Sequence, residues 1–86
     1  MKPTLAQRLG SCVRQLRLER GLTQVEFAER CGFYQTYLSR IETGRANPSL
    51  NAIEVIAATL KMDVFELFET VRVHKVTQPP ARRGAK

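Results

Sequence analysis

The chain has 86 residues, 43% hydrophobic and 26% charged, which is enough for one small core of ordinary soluble composition. No run approaches the roughly 18 apolar residues of a membrane span, and Met1–Gly10 lacks the apolar stretch of a signal peptide, so no membrane partner is expected and the cytoplasm is the expected compartment. The net charge of +6 is unevenly placed, at +4 over residues 1–47, −2 over residues 48–74 and +4 over residues 75–86; the basic parts suit a polyanion and equally describe a solvated face.

Leu5, Leu9, Cys12, Val13 and Leu16 follow the rhythm of one helical face and predict a first helix over residues 5–19. Thr4 with Gln7 forms a capping box at its start, and Gly21 supplies a closing left-handed residue. Thr23 with Glu26 opens a second helix, with Leu22 placed to staple onto Phe27. That helix turns Phe27, Ala28 and Cys31 inward and ends at Gly32. After Phe33 and Tyr34, a third helix over residues 35–42 puts Leu38 and Ile41 on one face and leaves Gln35, Thr36, Ser39 and Arg40 on the other.

Thr43-Gly44 stops the third helix, and the loop Arg45-Ala46-Asn47-Pro48 leads to a fourth helix from Ser49 with an apolar stripe of Leu50, Ile53, Ile56, Ala57 and Leu60. Asp63 with Glu66 starts a fifth, carrying Val64, Leu67 and Phe68. Val71 to His74 alternate, which permits a short strand, while Phe65, Phe68 and Arg72 equally permit a longer helix. Residues 78–86 hold too little apolar material to bury and read as a disordered basic tail. The fold class is all-α, with a domain over residues 1–70 and a separate segment over 71–77.

Cys12 and Cys31 both fall at helical core positions and read as core filler. With His74 as the lone histidine they make no zinc-type ligand set, so no metal is expected. No paired carboxylates, no nucleophile beside a base and no Gly-rich phosphate loop can be assembled, which argues against an enzyme; neither a cofactor nor a small-molecule ligand is expected.

Helices two and three, joined by a tight glycine turn with the second offering a polar face, fit the physical description of a helix-turn-helix. In a major groove, glutamine pairs bidentately with adenine and arginine with guanine, so Gln35 and Arg40 carry suitable chemistry, although both are also common surface residues.

From Leu9 to Phe68, including GLTQVEFAERCG, YLSRIETGRANPSL and DVFELF, the chain resembles the Cro/repressor-type, or XRE, family of phage and bacterial regulators. The joint spacing of G-L-T-Q, the turn glycine, S-R-I-E-x-G and N-P-S-L carries the resemblance. It implies a five-helix, phage-repressor-like fold, binding to double-stranded DNA at an operator, and base-facing positions at Gln35, Thr36, Ser39 and Arg40. It further implies a phosphate-facing Gln24 that braces the first reading residue, a loop approaching the DNA backbone at Arg45 and Asn47, and an ion pair between Arg17 and Glu42. Tyr34 and Tyr37 join the backbone-facing group, Tyr37 with its ring packing as its hydroxyl reaches out.

Two residues depart from the family pattern. Tyr34 stands where a small hydroxyl residue is usual and is a poor N-cap, so it either weakens the cap or has another task, such as stacking on a sugar or meeting a thymine methyl. Lys61 replaces the usual glycine after helix four, which predicts a left-handed non-glycine residue or a different closure. A domain this small gains operator specificity by doubling, and Phe65, Val71, Val73 and Val76 are the expected homodimer surface. The competing reading is a protein-interaction module such as an antitoxin, for which only residues 69–86 could supply the additional surface.

Overall fold

A computed structural model describes residues 2–76 of the chain. Five helices follow one another: α1 Leu5–Glu19, α2 Gln24–Cys31, α3 Gln35–Glu42, α4 Leu50–Thr59 and α5 Val64–Val73. Among the described residues there is no strand, so the alternation of Val71 to His74 resolves as helix. Residues 78–86, the expected tail, lie outside the described residues, as does Thr77.

The starts form because side chains satisfy amides that the first helical turn leaves free. Thr4 with Gln7, Thr23 with Glu26 and Asp63 with Glu66 all close full capping boxes, and Ser49 caps α4 through the Ala52 amide. α3 is the exception: Tyr34 takes the N-cap backbone conformation with no side-chain hydrogen bond to the helix. The ends repeat one device, in which a left-handed residue lets two amides turn back onto the last carbonyls. After α3 the Gly44 amide donates to Ile41 (3.1 Å) and the Arg45 amide to Arg40 (2.8 Å). After α4 the same pattern is made by Lys61, at φ 62°, the one non-glycine residue with positive φ among those described.

All five helices feed one core, in which Val13, Phe27, Leu38, Ile41, Ile56, Leu60 and Leu67 are almost fully buried. α1 and α3 cross closely at Gly10, where a Cβ would run into the backbone carbonyl of Ile41. That contact fixes the height of α3 over the core. Arg20 ties the ends of α1 and α4 together, donating to the Leu60 carbonyl at 2.9 and 3.2 Å. Ser11 Oγ and His74 Nε2, 2.9 Å apart, hold the end of α5 against α1.

Three apolar residues sit otherwise than the sequence suggests. Val71, expected on a dimer surface, is 2% exposed and belongs to the core, because it lies one turn beyond Leu67 on the same inward stripe. Leu50 and Leu5, expected on core faces, are 78% and 60% exposed. Each is the first residue of its helix, so its angle around the axis is right but it overhangs the end of the core. No helix among the described residues is long and apolar enough to cross a membrane.

Candidate nucleic-acid interface

α2 and α3 are both eight residues long and are joined by Gly32, Phe33 and Tyr34. Gly32 is left-handed, and the Phe33 amide returns to the Ala28 carbonyl at 2.8 Å, so the chain reverses tightly. Phe33 then packs edge-on against Tyr37, with ring centroids 5.1 Å apart, and both rings rest on the core. Leu38 and Ile41 anchor α3 from below, and Gln35, Thr36 and Arg40 are left exposed on its outer side, with Ser39 half-buried.

The polar side of this arrangement is wired to the interior. Arg17 Nε donates to Glu42 Oε2 at 2.7 Å and Arg17 Nη2 to Glu42 Oε1 at 3.0 Å, with the two side chains 7% and 1% exposed. The third arm of the guanidinium, Nη1, donates to the Leu22 carbonyl at 2.7 Å, so the fork joins α1, the α1–α2 turn and α3. Glu42 Oε1 also accepts from Gln24 Nε2 at 3.0 Å, and Gln24 Oε1 accepts from Gln35 Nε2 at 3.4 Å. Gln24 thus lies between the buried ion pair and the first residue of α3.

At the far end of α3, Thr43 Oγ1 donates to the Ser39 carbonyl (3.0 Å) and the Arg40 carbonyl (3.3 Å). Arg40 Nη2 donates to the Arg45 carbonyl at 3.3 Å, which couples the outer face of α3 to the loop. Gly44 seats that loop on the start of α1: besides its positive φ, a Cβ there would come within 2.5 Å of Gln7 Cγ and 2.8 Å of Gln7 Cα. Arg45 and Asn47 are exposed, and Asn47 with Pro48 forms one wall of an apolar groove of about 250 Å³ that Leu5, Leu50, Ile53 and Phe68 complete.

The structure therefore brings Arg17, Glu42, Gln24 and Gln35 into one connected chain and gathers Tyr34, Thr36 and Arg40 on the same short helix and its cap. Tyr34 is 87% exposed. Of the expected dimer residues, Phe65 is 79% exposed and Val73 is also exposed; Val76 is half-buried beyond the end of α5, and Val71 is withdrawn into the core. Sequence reasoning missed the bond from Glu42 to Gln24 and the exposure of Leu5 and Leu50. The first had a signal available, since Gln24 and Arg17 both point to Glu42 once α1 and α3 cross.

Five helices with a two-helix unit on an open polar side define the architecture of small helix-turn-helix domains. The helix-turn-helix domain family matches residues 8–67. The chain is 44% identical over 59 residues to the HTH-type transcriptional regulator y4dJ of Sinorhizobium fredii, covering 69% of this chain and 77% of that protein. It is 41% identical over 56 residues to the immunity repressor protein of Bacillus phage phi105, covering 65% of this chain but 39% of the repressor. Among solved structures, the restriction-modification controller protein C.Esp1396I, seen as a tetramer in complex with its natural 35 base-pair operator, superimposes with a TM-score of 0.75 at 27% identity, covering 83% of this chain and 93% of that one. The chain belongs to the helix-turn-helix family of XRE-like regulators.

Proposed function

We propose that the chain is a sequence-specific transcriptional regulator that reads a palindromic operator as a symmetric dimer, with α3 of each copy in the major groove. The observation that carries this reading is the outer face of α3. Its donors and acceptors are exposed while its inner face and its first glutamine are held by the core and by the buried ion pair. Gln35, Thr36, Ser39 and Arg40 read base edges, and Gln24, Tyr34, Tyr37, Arg45 and Asn47 meet phosphate and sugar. The net +4 of residues 1–47 supplies the sequence-independent attraction. The operator complex of C.Esp1396I supports the same use of this fold.

Dimerisation uses the apolar surface opposite in character to α3, where the groove between the starts of α1 and α4 adjoins α5 through Phe68. Phe65 lies one turn before Phe68, and Val73 and Val76 follow at the margin. Selection of bound sites from random duplex DNA tests the whole reading, with an inverted repeat as the expected result. Arg40→Ala is expected to cost roughly 1–3 kcal/mol on the best site and to relax one base position, and Arg45→Ala to weaken all sequences alike and lower the salt slope by about one. An unchanged motif for Arg40→Ala, or no enriched motif for the wild-type chain, overturns it.

A further inference from the structure

We infer that Glu42, acting through Gln24, fixes which end of the Gln35 amide faces the DNA and so selects adenine over guanine at the base that Gln35 meets. This rests on the base-reading role proposed above and adds to it a positioning residue that touches no DNA.

The argument follows donors and acceptors along the chain. Glu42 receives two N–H groups from Arg17 in a nearly dry site, which keeps it a carboxylate, and a carboxylate can only accept. Gln24 must therefore turn its N–H₂ toward Glu42, as it does at 3.0 Å. The reversed amide would press its carbonyl oxygen against a carboxylate oxygen in a part-buried place and strand both acceptors. With its nitrogen committed, Gln24 offers only Oε1 to Gln35, and Gln35 answers with Nε2 at 3.4 Å.

One N–H of Gln35 is thereby used. What remains is its Oε1 and a second N–H, one acceptor and one donor side by side. Adenine presents the complementary pair in the major groove, the N7 acceptor and the N6 amino donor, whereas guanine presents two acceptors, N7 and O6. Had Gln24 been free to present its N–H₂ instead, Gln35 would have engaged its oxygen there and kept two donors for the DNA, which suits guanine. The sign of the charge on Glu42 thus becomes a base preference two side chains away.

Site selection from random duplexes with the wild-type chain, Gln35→Ala, Gln24→Met and Glu42→Gln tests this. Gln35→Ala marks the base position concerned. The wild-type chain is expected to favour adenine over guanine there by about tenfold or more, the scale of one good bidentate contact. Gln24→Met keeps the bulk and the ion pair but breaks the relay: overall affinity falls, the rest of the motif stays, and the adenine-to-guanine ratio drops to about threefold or less. Glu42→Gln, whose neutral amide can offer either atom to Gln24, moves the same ratio in the same direction. An adenine preference undiminished in Gln24→Met, or no preference for adenine at the Gln35-dependent position, overturns the inference while leaving the regulator reading intact. Absence of any motif for the wild-type chain overturns that reading and the inference with it.

Discussion

Arg17 and Glu42 illustrate how one buried contact serves folding and recognition together. Taking both charges out of water is costly, and the attraction offsets it only because three guanidinium nitrogens find acceptors. Removing one partner strands the other, so Glu42→Gln is expected to lower stability by roughly 3–5 kcal/mol in thermal or urea unfolding. Arg72 and Glu69 provide the internal comparison, at 3.5 Å and largely exposed, where Glu69→Gln should change stability by less than about 1 kcal/mol. Equal small losses at the two sites would remove the distinction. The cysteines differ in a similar way: burial, helped by the charge of Glu19, pushes the Cys12 thiol up to about 11, whereas Cys31 is half-buried with its thiol against Thr59 Oγ1. Both pairings are invisible to a reading of single residues. Periodicity reports the angle of a side chain around its helix and not its height along the core, which is why Leu5 and Leu50 were assigned inward and stand outward, and why Val71, one turn from Leu67, was assigned outward and stands inward.

At the level of elements, all five helices were legible, because each start and stop is written in local chemistry. The capping pairs Thr4–Gln7, Thr23–Glu26 and Asp63–Glu66 are spaced three residues apart, and the same pairs close in the structure. The left-handed Lys61 was legible too, from the glycine it replaces. The candidate interface was legible as a set of residue types and not as a network, since the link from Glu42 to Gln24 spans 18 residues and needs the crossing at Gly10 to exist. Two outcomes follow from the caps. Hydrogen bonds from the Thr23 backbone amide and then its hydroxyl hold the Glu26 carboxyl below the ordinary glutamate value. A depressed carboxyl stabilises the fold above its unfolded pKa, and that contribution is lost as the pH falls through the lower folded value. Glu26→Gln should therefore flatten the stability profile on the acid side of about pH 4.5, measured by urea unfolding, and leave the slope above pH 6 unchanged. At α3 the missing cap is a cost the fold carries: Tyr34→Ser should raise stability by about 1 kcal/mol and at the same time weaken DNA binding. A gain in stability with unchanged binding would leave Tyr34 without a role at the DNA.

For the whole molecule the distribution of charge and apolar surface separates two uses of the fold. The basic amino-terminal half carries α2 and α3, and the segment 48–74, net −2, carries α4 and α5 with the exposed Leu50 and Phe65. One recognition helix covers only a few base pairs, so an operator of useful rarity needs two copies, and a two-fold contact through the less basic half places the two α3 helices on the same side of the duplex about one turn, or roughly 34 Å, apart. Placing the contact near α3 would instead bring the positive charges together. The interface is expected to centre on Leu5, Leu50 and Phe65 around the groove that Phe68 lines, because an exposed aromatic and two exposed leucines remain there after the monomer core is filled. Sedimentation of the full chain should show a dimer at micromolar concentration, and the pair Leu50→Lys with Phe65→Lys should give a monomer whose melting is little changed, since both positions are open to solvent. The same variant should lose the steep dependence of operator binding on protein concentration and bind single half-sites with roughly half the salt slope. A monomeric wild-type chain at high micromolar concentration, or an undiminished dimer in the lysine variant, would displace the interface from this surface.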